Sequence, residues 1–227
     1  MALINSPLKV QDIRSQFVEL LKNEDFTIDK SGVKTVEIIN ATFIADESII
    51  FGNLNFDYVN REIEWYKSQS LNVNDIPGET PQIWKQVSSK DGFVNSNYGW
   101  AVWSHLNFSQ FDNCKKQLQA NPDSRRAIMI YTRPDMQVQY NAQGMSDFMC
   151  CIAVQYFIKN NTLYPIVFFR SMDAIFGYKN DHQWMRYISQ ELHSQLRHET
   201  YAELDIGEVR YNVGSLHIYE RHFDLIK

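Results

Sequence analysis

The sequence predicts an α+β fold, a mixed β-sheet packed with helices. Three observations carry that expectation. The strand-like runs cluster in the second half of the chain instead of alternating regularly with helices, which disfavours a βαβ series. The helical stretches show apolar residues at i, i+3 and i+4 spacing, one face each. The 227 residues are 44% hydrophobic and 14% aromatic, enough for one sizeable core, and the aromatic share suits a large sheet or a stacking pocket. No repeat, low-complexity linker or composition shift divides residues 1–227, so one domain is expected.

Taken in order, Val10, Ile13, Phe17, Leu20 and Leu21 predict an amphipathic helix over residues 9–22. Gly32 opens a strand over 33–45, where Val36 and Ile38 alternate with polar neighbours. Residues 58–68 read as a second helix, and 70–97, with Pro77-Gly78 and Asp91-Gly92, as loop. Phe108, Phe111, Cys114 and Leu118 predict a third helix, closed by Asn121-Pro122. Apolar runs at 127–132, 148–158 and 163–169 predict strands, the last two joined at Asn160-Asn161 as a hairpin. Residues 181–197 read as a helix and 209–219 as a final strand.

The net charge of −5 provides no global basic field for nucleic acid, so an anionic ligand has to be gathered by local Lys and Arg. Three cysteines, two of them adjacent, make a poor disulfide framework and suit a reducing, cytoplasmic compartment. The first residues lack the basic and apolar regions of a signal peptide, and no apolar run approaches the ~20 residues of a membrane helix. No P-loop, Gly-rich dinucleotide fingerprint, Cys-x-x-Cys or His-Glu-x-x-His motif is present.

Each candidate residue also has a plain structural reading. Cys150 lies in an apolar run, where a thiol is usually a small buried hydrophobe, and Cys151 faces the opposite side of the same strand. Gln155 five residues on, and Arg170 as a source of positive field, favour Cys150 as a thiolate. Arg125 and Arg126 could be a solvated surface pair. Arg170 ends an apolar run and needs a partner, for which a phosphate is well shaped. Glu62 reads most simply as a helix-surface charge, Asp181 as a helix N-cap, and His217 with Tyr219 as structural hydrogen bonders on one strand face.

In order, Lys30-Ser31-Gly32, Glu62 with Trp65, Tyr98-Gly99, Asp123 to Arg126, Cys150 with Gln155, Arg170-Ser171 with Asp173, Gly177 with Asp181, and His217 with Tyr219 resemble the thymidylate synthase superfamily. The resemblance spans roughly residues 29–222. Within it, the stretches 76–80, 95–100, 130–134, 144–150 and 212–217 are similar to the deoxycytidylate-hydroxymethylating branch carried by T-even bacteriophages. Synthases have Pro-Cys-His at the nucleophile where this chain has Met149-Cys150-Cys151, an Asp in place of Ser215, and an Asn in place of Asp181.

The resemblance implies a homodimeric transferase that binds dCMP and 5,10-methylenetetrahydrofolate, needs no metal, pairs through a sheet face and acts in an infected bacterial cytoplasm. It implies Cys150 as the nucleophile at C6, Glu62 as the residue ordering water and moving protons, and Asp181 as the reader of cytosine. Lys30, Arg170, Ser171 and a partner's copies of Arg125 and Arg126 would hold the 5′-phosphate, and His217 and Tyr219 the deoxyribose hydroxyl. Trp84, Asp173 and Gly177 would contact the folate. An ionised Asp181 would accept from N4 of cytosine and repel O4 of uracil, whereas a protonated one would donate to N3. Family members continue beyond the position of Lys227, and a short C-terminal lid suits water addition. The alternatives are a dUMP-directed synthase or hydroxymethylase, use of CMP, and a nucleotide-binding protein without turnover.

Overall fold

The late apolar runs come together with the early strand in one sheet. The computed structural model describes residues 7–28, 30 and 32–227. The segment 1–6, read above for a targeting signal, lies outside the described residues, as does Ser31 of the Lys30–Gly32 stretch. The strands are β1 (Leu8–Lys9), β2 (Thr27–Ile28), β3 (Lys34–Ile44), β4 (Ile128–Ile130), β5 (Cys151–Lys159), β6 (Thr162–Asp173), β7 (Asp205–Ile206) and β8 (Arg210–Tyr219). Their order is β1-β3-β8-β6-β5-β4, with β2 added to β3 and β7 to β6. β3 runs antiparallel to β8 and β5 to β6, while β6 and β8 are parallel, so the sheet is mixed as expected. The parallel pair needs a long crossover, and a helix supplies it. The β5–β6 hairpin turns at Asn160 and Asn161 with φ of 49° and 59°, a left-handed pair that asparagine tolerates.

The helices are α1 (Val10–Lys22), α2 (Phe56–Ser68), α3 (Gln82–Val87), α4 (Tyr98–Trp103), α5 (Gln110–Ala120), α6 (Met136–Gln139) and α7 (Gly177–Glu199). The stretch read as loop at 70–97 contains α3, which is too short to display a periodic stripe. Helix α4 starts at Asn97, whose side-chain oxygen accepts from the Trp100 N–H at 2.7 Å. It lies hard against α2: a Cβ on Gly99 would stand 1.8 Å from the Tyr66 carbonyl oxygen, so only glycine fits. Tyr98 consequently stacks on Tyr66 at 5.2 Å.

Helix α7 begins four residues before the sequence-based start. One carboxylate oxygen of Asp173 accepts from the Ile175 and Phe176 N–H groups at 2.7 and 2.9 Å and turns the chain into the helix. Asp181 therefore stands in the second turn and is not an N-cap. Much of the aromatic content fills the core, where Trp65, Trp184, Tyr131, Tyr156, Tyr211 and Phe169 are almost wholly enclosed.

Two features of the sheet bear on function. Pairing skips Asn40 in β3, Gly214 in β8 and Arg170 in β6, and β5 shifts register between Cys151 and Ala153. A Cβ on Gly214 would meet the Arg170 carbonyl oxygen at 2.6 Å, so this alignment also requires glycine. Irregularities of this kind bend strands and re-aim side chains. Second, Ile130, Phe168, Asn212 and Thr42 lie in one cross-strand row, and Ile128, Gln155 and Ile166 in the next. Ile128 and Ile130 are exposed and Phe168 is only half-buried, an apolar sheet surface without helical cover. No helix of the described residues is long and apolar enough to cross a membrane.

Candidate active site

A cleft of about 250 Å³ opens between α2, α3, the start of α7 and the segment before β5; it is lined by Glu62, Trp84, Tyr98, Cys150, Gly177 and Asp181 among others. Cys150 stands one residue before β5, not within it, and is half-buried, whereas Cys151 is fully enclosed. The two adjacent thiols are thus separated as strand alternation predicts. Arg170 grips the segment that carries Cys150: Nη2 donates to the Phe148 carbonyl at 2.6 Å and Nε to that of Met149 at 3.2 Å. The same Nη2 lies 3.7 Å from the Cys150 sulfur. The partner that Arg170 was expected to need is therefore backbone carbonyl, and its side chain is exposed. Burial and the charge of Asp181 push the Cys150 thiol up to about 11, with Arg170 pulling it down.

Glu62 is not a surface charge. It shares the buried stripe of α2 with Val59, Trp65 and Tyr66 and is 5% exposed. Its Oε1 accepts from the Tyr58 hydroxyl and, at 3.2 Å, from the Trp84 indole N–H. Burial raises its carboxyl to about 7, against the opposing effect of those two donors. Burial likewise raises Asp181 to about 8, with the Glu62 charge adding to the shift and a hydrogen bond from Tyr98 opposing it. Two proton-binding carboxyls beside one thiol form a set suited to nucleophilic addition followed by proton transfer. Gly177 completes the wall: a Cβ there would be 3.4 Å from that of Asp173 and 4.0 Å from Asp181 Oδ2.

The remaining expected residues divide into two groups. Asp173, Ser171, His217 and Tyr219 follow the aligned irregularity on β6 and β8, with Ser171 opposite Ser215 and Asp173 opposite His217. His217 is 8% exposed and its ring meets that of Tyr219 edge-on at 4.9 Å. By contrast, Lys30 is exposed in the turn between β2 and β3. Arg125 and Arg126 are exposed just before β4, and among the described residues neither guanidinium has a hydrogen-bond or ion-pair partner. The Arg125 carbonyl accepts from Gln155 at 2.8 Å, which places Gln155 on the sheet surface with Arg125 and not beside Cys150.

Sequence reasoning missed two residues. Tyr58 lies four residues before Glu62 on the same helix face, a spacing that could have revealed it. Asp147 is a buried carboxylate that accepts from the Asn95 and Ser96 N–H groups at 2.6 and 2.8 Å and from the Ser96 hydroxyl at 2.6 Å. It ties the segment carrying Cys150 to the one leading into Tyr98, which contacts Asp181. Nothing short of the pairing of these two distant segments would have singled it out. Among the described residues, no group of three or more His, Cys, Asp or Glu side chains could hold a metal ion.

Comparisons with known proteins point the same way as the geometry. A family profile described as Thymidylate synthase matches residues 15–227. The deoxycytidylate 5-hydroxymethyltransferases of Enterobacteria phages T4 and T2 are each 52% identical over 225 residues, covering 99% of this chain and 92% of theirs. The thymidylate synthase of Bacillus subtilis subsp. natto is 30% identical over 175 residues, 74% of this chain and 58% of its own. The solved structure of thermostable thymidylate synthase A from Bacillus subtilis superposes with a TM-score of 0.65 over 96% of this chain and 82% of its own, at 21% identity, a likeness of fold.

Proposed function

The chain belongs to the thymidylate synthase family, and from that premise we propose that it is a deoxycytidylate 5-hydroxymethyltransferase. The observation that carries the choice of base is Asp181, a carboxyl in the same cleft as Cys150 at the position where synthases have Asn. Its raised pKa of about 8 leaves it mostly protonated at neutral pH, so it presents an acceptor and a donor side by side. That edge complements N4–H2 and N3 of cytosine. Charge repulsion of uracil O4 is then not the principal discriminator. Selectivity rests on which oxygen carries the proton, and the Tyr98 hydrogen bond favours leaving the proton on the other one.

The chemistry follows from the same neighbours. With Asp181 neutral, burial remains the main opposition to a Cys150 thiolate, and the charge of Arg170 favours it. The thiolate adds to C6 of the pyrimidine, which makes C5 nucleophilic. When bound, 5,10-methylenetetrahydrofolate supplies the one-carbon unit to C5. The exposed Ile83 and Phe176 at the mouth of the cleft, together with Trp84 and Gly177, offer the apolar surface a pterin ring requires. Glu62, raised to about 7, can exchange a proton near neutral pH, which supports a role in ordering the water that completes the hydroxymethyl group. Loss of the C5 proton would accompany departure of tetrahydrofolate, and addition of water to the exocyclic carbon would expel the thiolate from C6, returning Cys150 to its starting state.

The 5′-phosphate is assigned to Arg170, Ser171, Lys30 and the partner subunit's Arg125 and Arg126, and the deoxyribose to His217 and Tyr219. The unpaired guanidiniums beside the bare Ile128–Ile130 surface support pairing of two copies through the sheet. Incubation with dCMP and 5,10-methylenetetrahydrofolate should give 5-hydroxymethyl-dCMP and tetrahydrofolate. A methylated product, or turnover of dUMP in preference to dCMP, would overturn the assignment.

A further inference from the structure

Ser215 stands where the family's synthases carry a carboxylate, and the structure returns a carboxylate to that place from a neighbouring strand. Glu37 in β3 is the antiparallel partner of His217 in β8, so the two side chains share a face of the sheet, as do Ser215 and His217 two residues apart. The Ser215 hydroxyl donates to Glu37 Oε1. The other oxygen, Oε2, accepts from the Thr27 hydroxyl at 3.4 Å. Ser215 Oγ also lies 3.2 Å from His217 Nδ1.

A serine hydroxyl has one hydrogen, and a carboxylate can only accept. With that hydrogen directed at Glu37, Oγ can approach Nδ1 only as an acceptor, so Nδ1 must carry the ring proton. Burial pushes the His217 imidazolium down and favours a neutral ring, against the raising effects of Asp173, the Ser215 backbone and Glu37. A neutral ring protonated at Nδ1 has a bare Nε2. Among the described residues, no hydrogen bond engages Nε2.

We propose that Glu37, acting through Ser215, holds the His217 proton on Nδ1 and thereby makes Nε2 an acceptor for a ligand hydroxyl. Glu37 is a positioning residue, since it touches the ring only through Ser215. On the function proposed above, that hydroxyl is the 3′-OH of the deoxyribose, which then donates to Nε2; the identity of the ligand rests on that reading, the state of the ring does not. A sugar with a 3′-phosphate or without a 3′-oxygen cannot make this bond.

The test has two arms. In the unliganded ¹⁵N-labelled protein, long-range ¹H–¹⁵N correlation should show His217 protonated at Nδ1 and bare at Nε2, the signal being assigned by its loss in His217→Gln. Glu37→Gln, whose amide can donate to Ser215 Oγ and free its hydrogen for Nδ1, should move the proton to Nε2, with Glu37→Asp restoring the original state. In the second arm, binding of dCMP is compared with that of its 3′-deoxy analogue. Wild type should prefer dCMP by about tenfold, the worth of one well-placed hydrogen bond, and Glu37→Gln and Ser215→Ala should each lose that preference. A wild-type ring protonated at Nε2, or a Glu37→Gln ring unchanged with its preference for the 3′-hydroxyl intact, would refute the relay. Failure to bind dCMP at all with the Nδ1 proton in place would instead sink the assignment of substrate and leave the relay standing.

Discussion

The carboxyl residues at the cleft and the cationic residues outside it are built differently. Around the cleft, Glu62 and Tyr98 are buried and Asp181 is half-buried, with Tyr98 hydrogen-bonded to Asp181 and the Glu62 charge acting on it, all on α2, α4 and α7 of one chain. Among the cationic residues, Lys30, Arg125 and Arg126 are exposed and outside the cleft lining, whereas Arg170 comes within 3.7 Å of the Cys150 sulfur. A single copy thus assembles the groups that need a low-dielectric, fixed surrounding, where burial shifts their proton affinities. Charges that attract an anion work from a distance and tolerate a wet location. The difference explains how a chain of net charge −5 can still present a site for a nucleotide.

The sharpest way to break this comparison is at its buried end. Cys150→Ser should lower kcat at least about a thousandfold, because the weaker nucleophile cannot form the C6 adduct, and mass spectrometry should find no covalent complex with a 5-fluoropyrimidine nucleotide. Asp181→Asn should shift the ratio of kcat/KM for dCMP over dUMP toward dUMP by about a hundredfold, since the carboxamide offers a fixed donor and acceptor. Little change in that ratio would mean that base reading lies elsewhere. At the exposed end, Arg125→Ala combined with Arg126→Ala should raise KM for dCMP about tenfold with little loss of kcat. Mixing that double variant with Cys150→Ser should restore part of the activity if the arginines act across a pair of subunits, and none if they act within one chain.

The smallest effect is on stability. Folded Glu62 and Asp181 bind protons more tightly than the unfolded chain does, so their neutral forms cost nothing at low pH. Their contribution turns unfavourable as pH rises from the ordinary carboxylate range through about 7 and about 8. Between pH 5 and 8.5, thermal melting should therefore show Asp181→Asn gaining on wild type by a few degrees. A constant difference across that range would place the Asp181 pKa near its usual value.

Much of the fold was legible because apolar spacing reports burial directly. The stripe of α1, the hairpin at Asn160-Asn161 and the long strands β3, β6 and β8 all appear where the pattern placed them. Helices α3 and α4 escaped notice because six residues make less than two turns, and what fixes α4 is the Gly99 contact with Tyr66, a distant neighbour. The start of α7 was misplaced for a related reason: Asp173 turns the chain through its own backbone contacts, earlier than any periodicity begins. Cys150 and Asp181, singled out through the ordered resemblance, line one cleft. The burial of Glu62 could have been inferred, since Val59, Glu62, Trp65 and Tyr66 occupy one helical stripe. Asp147 was invisible because its three donors come from a segment some fifty residues away.

The arrangement of the two neighbouring cysteines also has a bearing on oxidative damage. Cys151 is fully enclosed and Cys114 is buried within α5, so no second thiol is available to the half-buried Cys150. A sulfenic acid formed on Cys150 has no internal thiol to condense with. Its rescue depends on a small external thiol entering the cleft, failing which it proceeds to the irreversible acids. The sequence places two sulfurs side by side, and the strand keeps one from protecting the other.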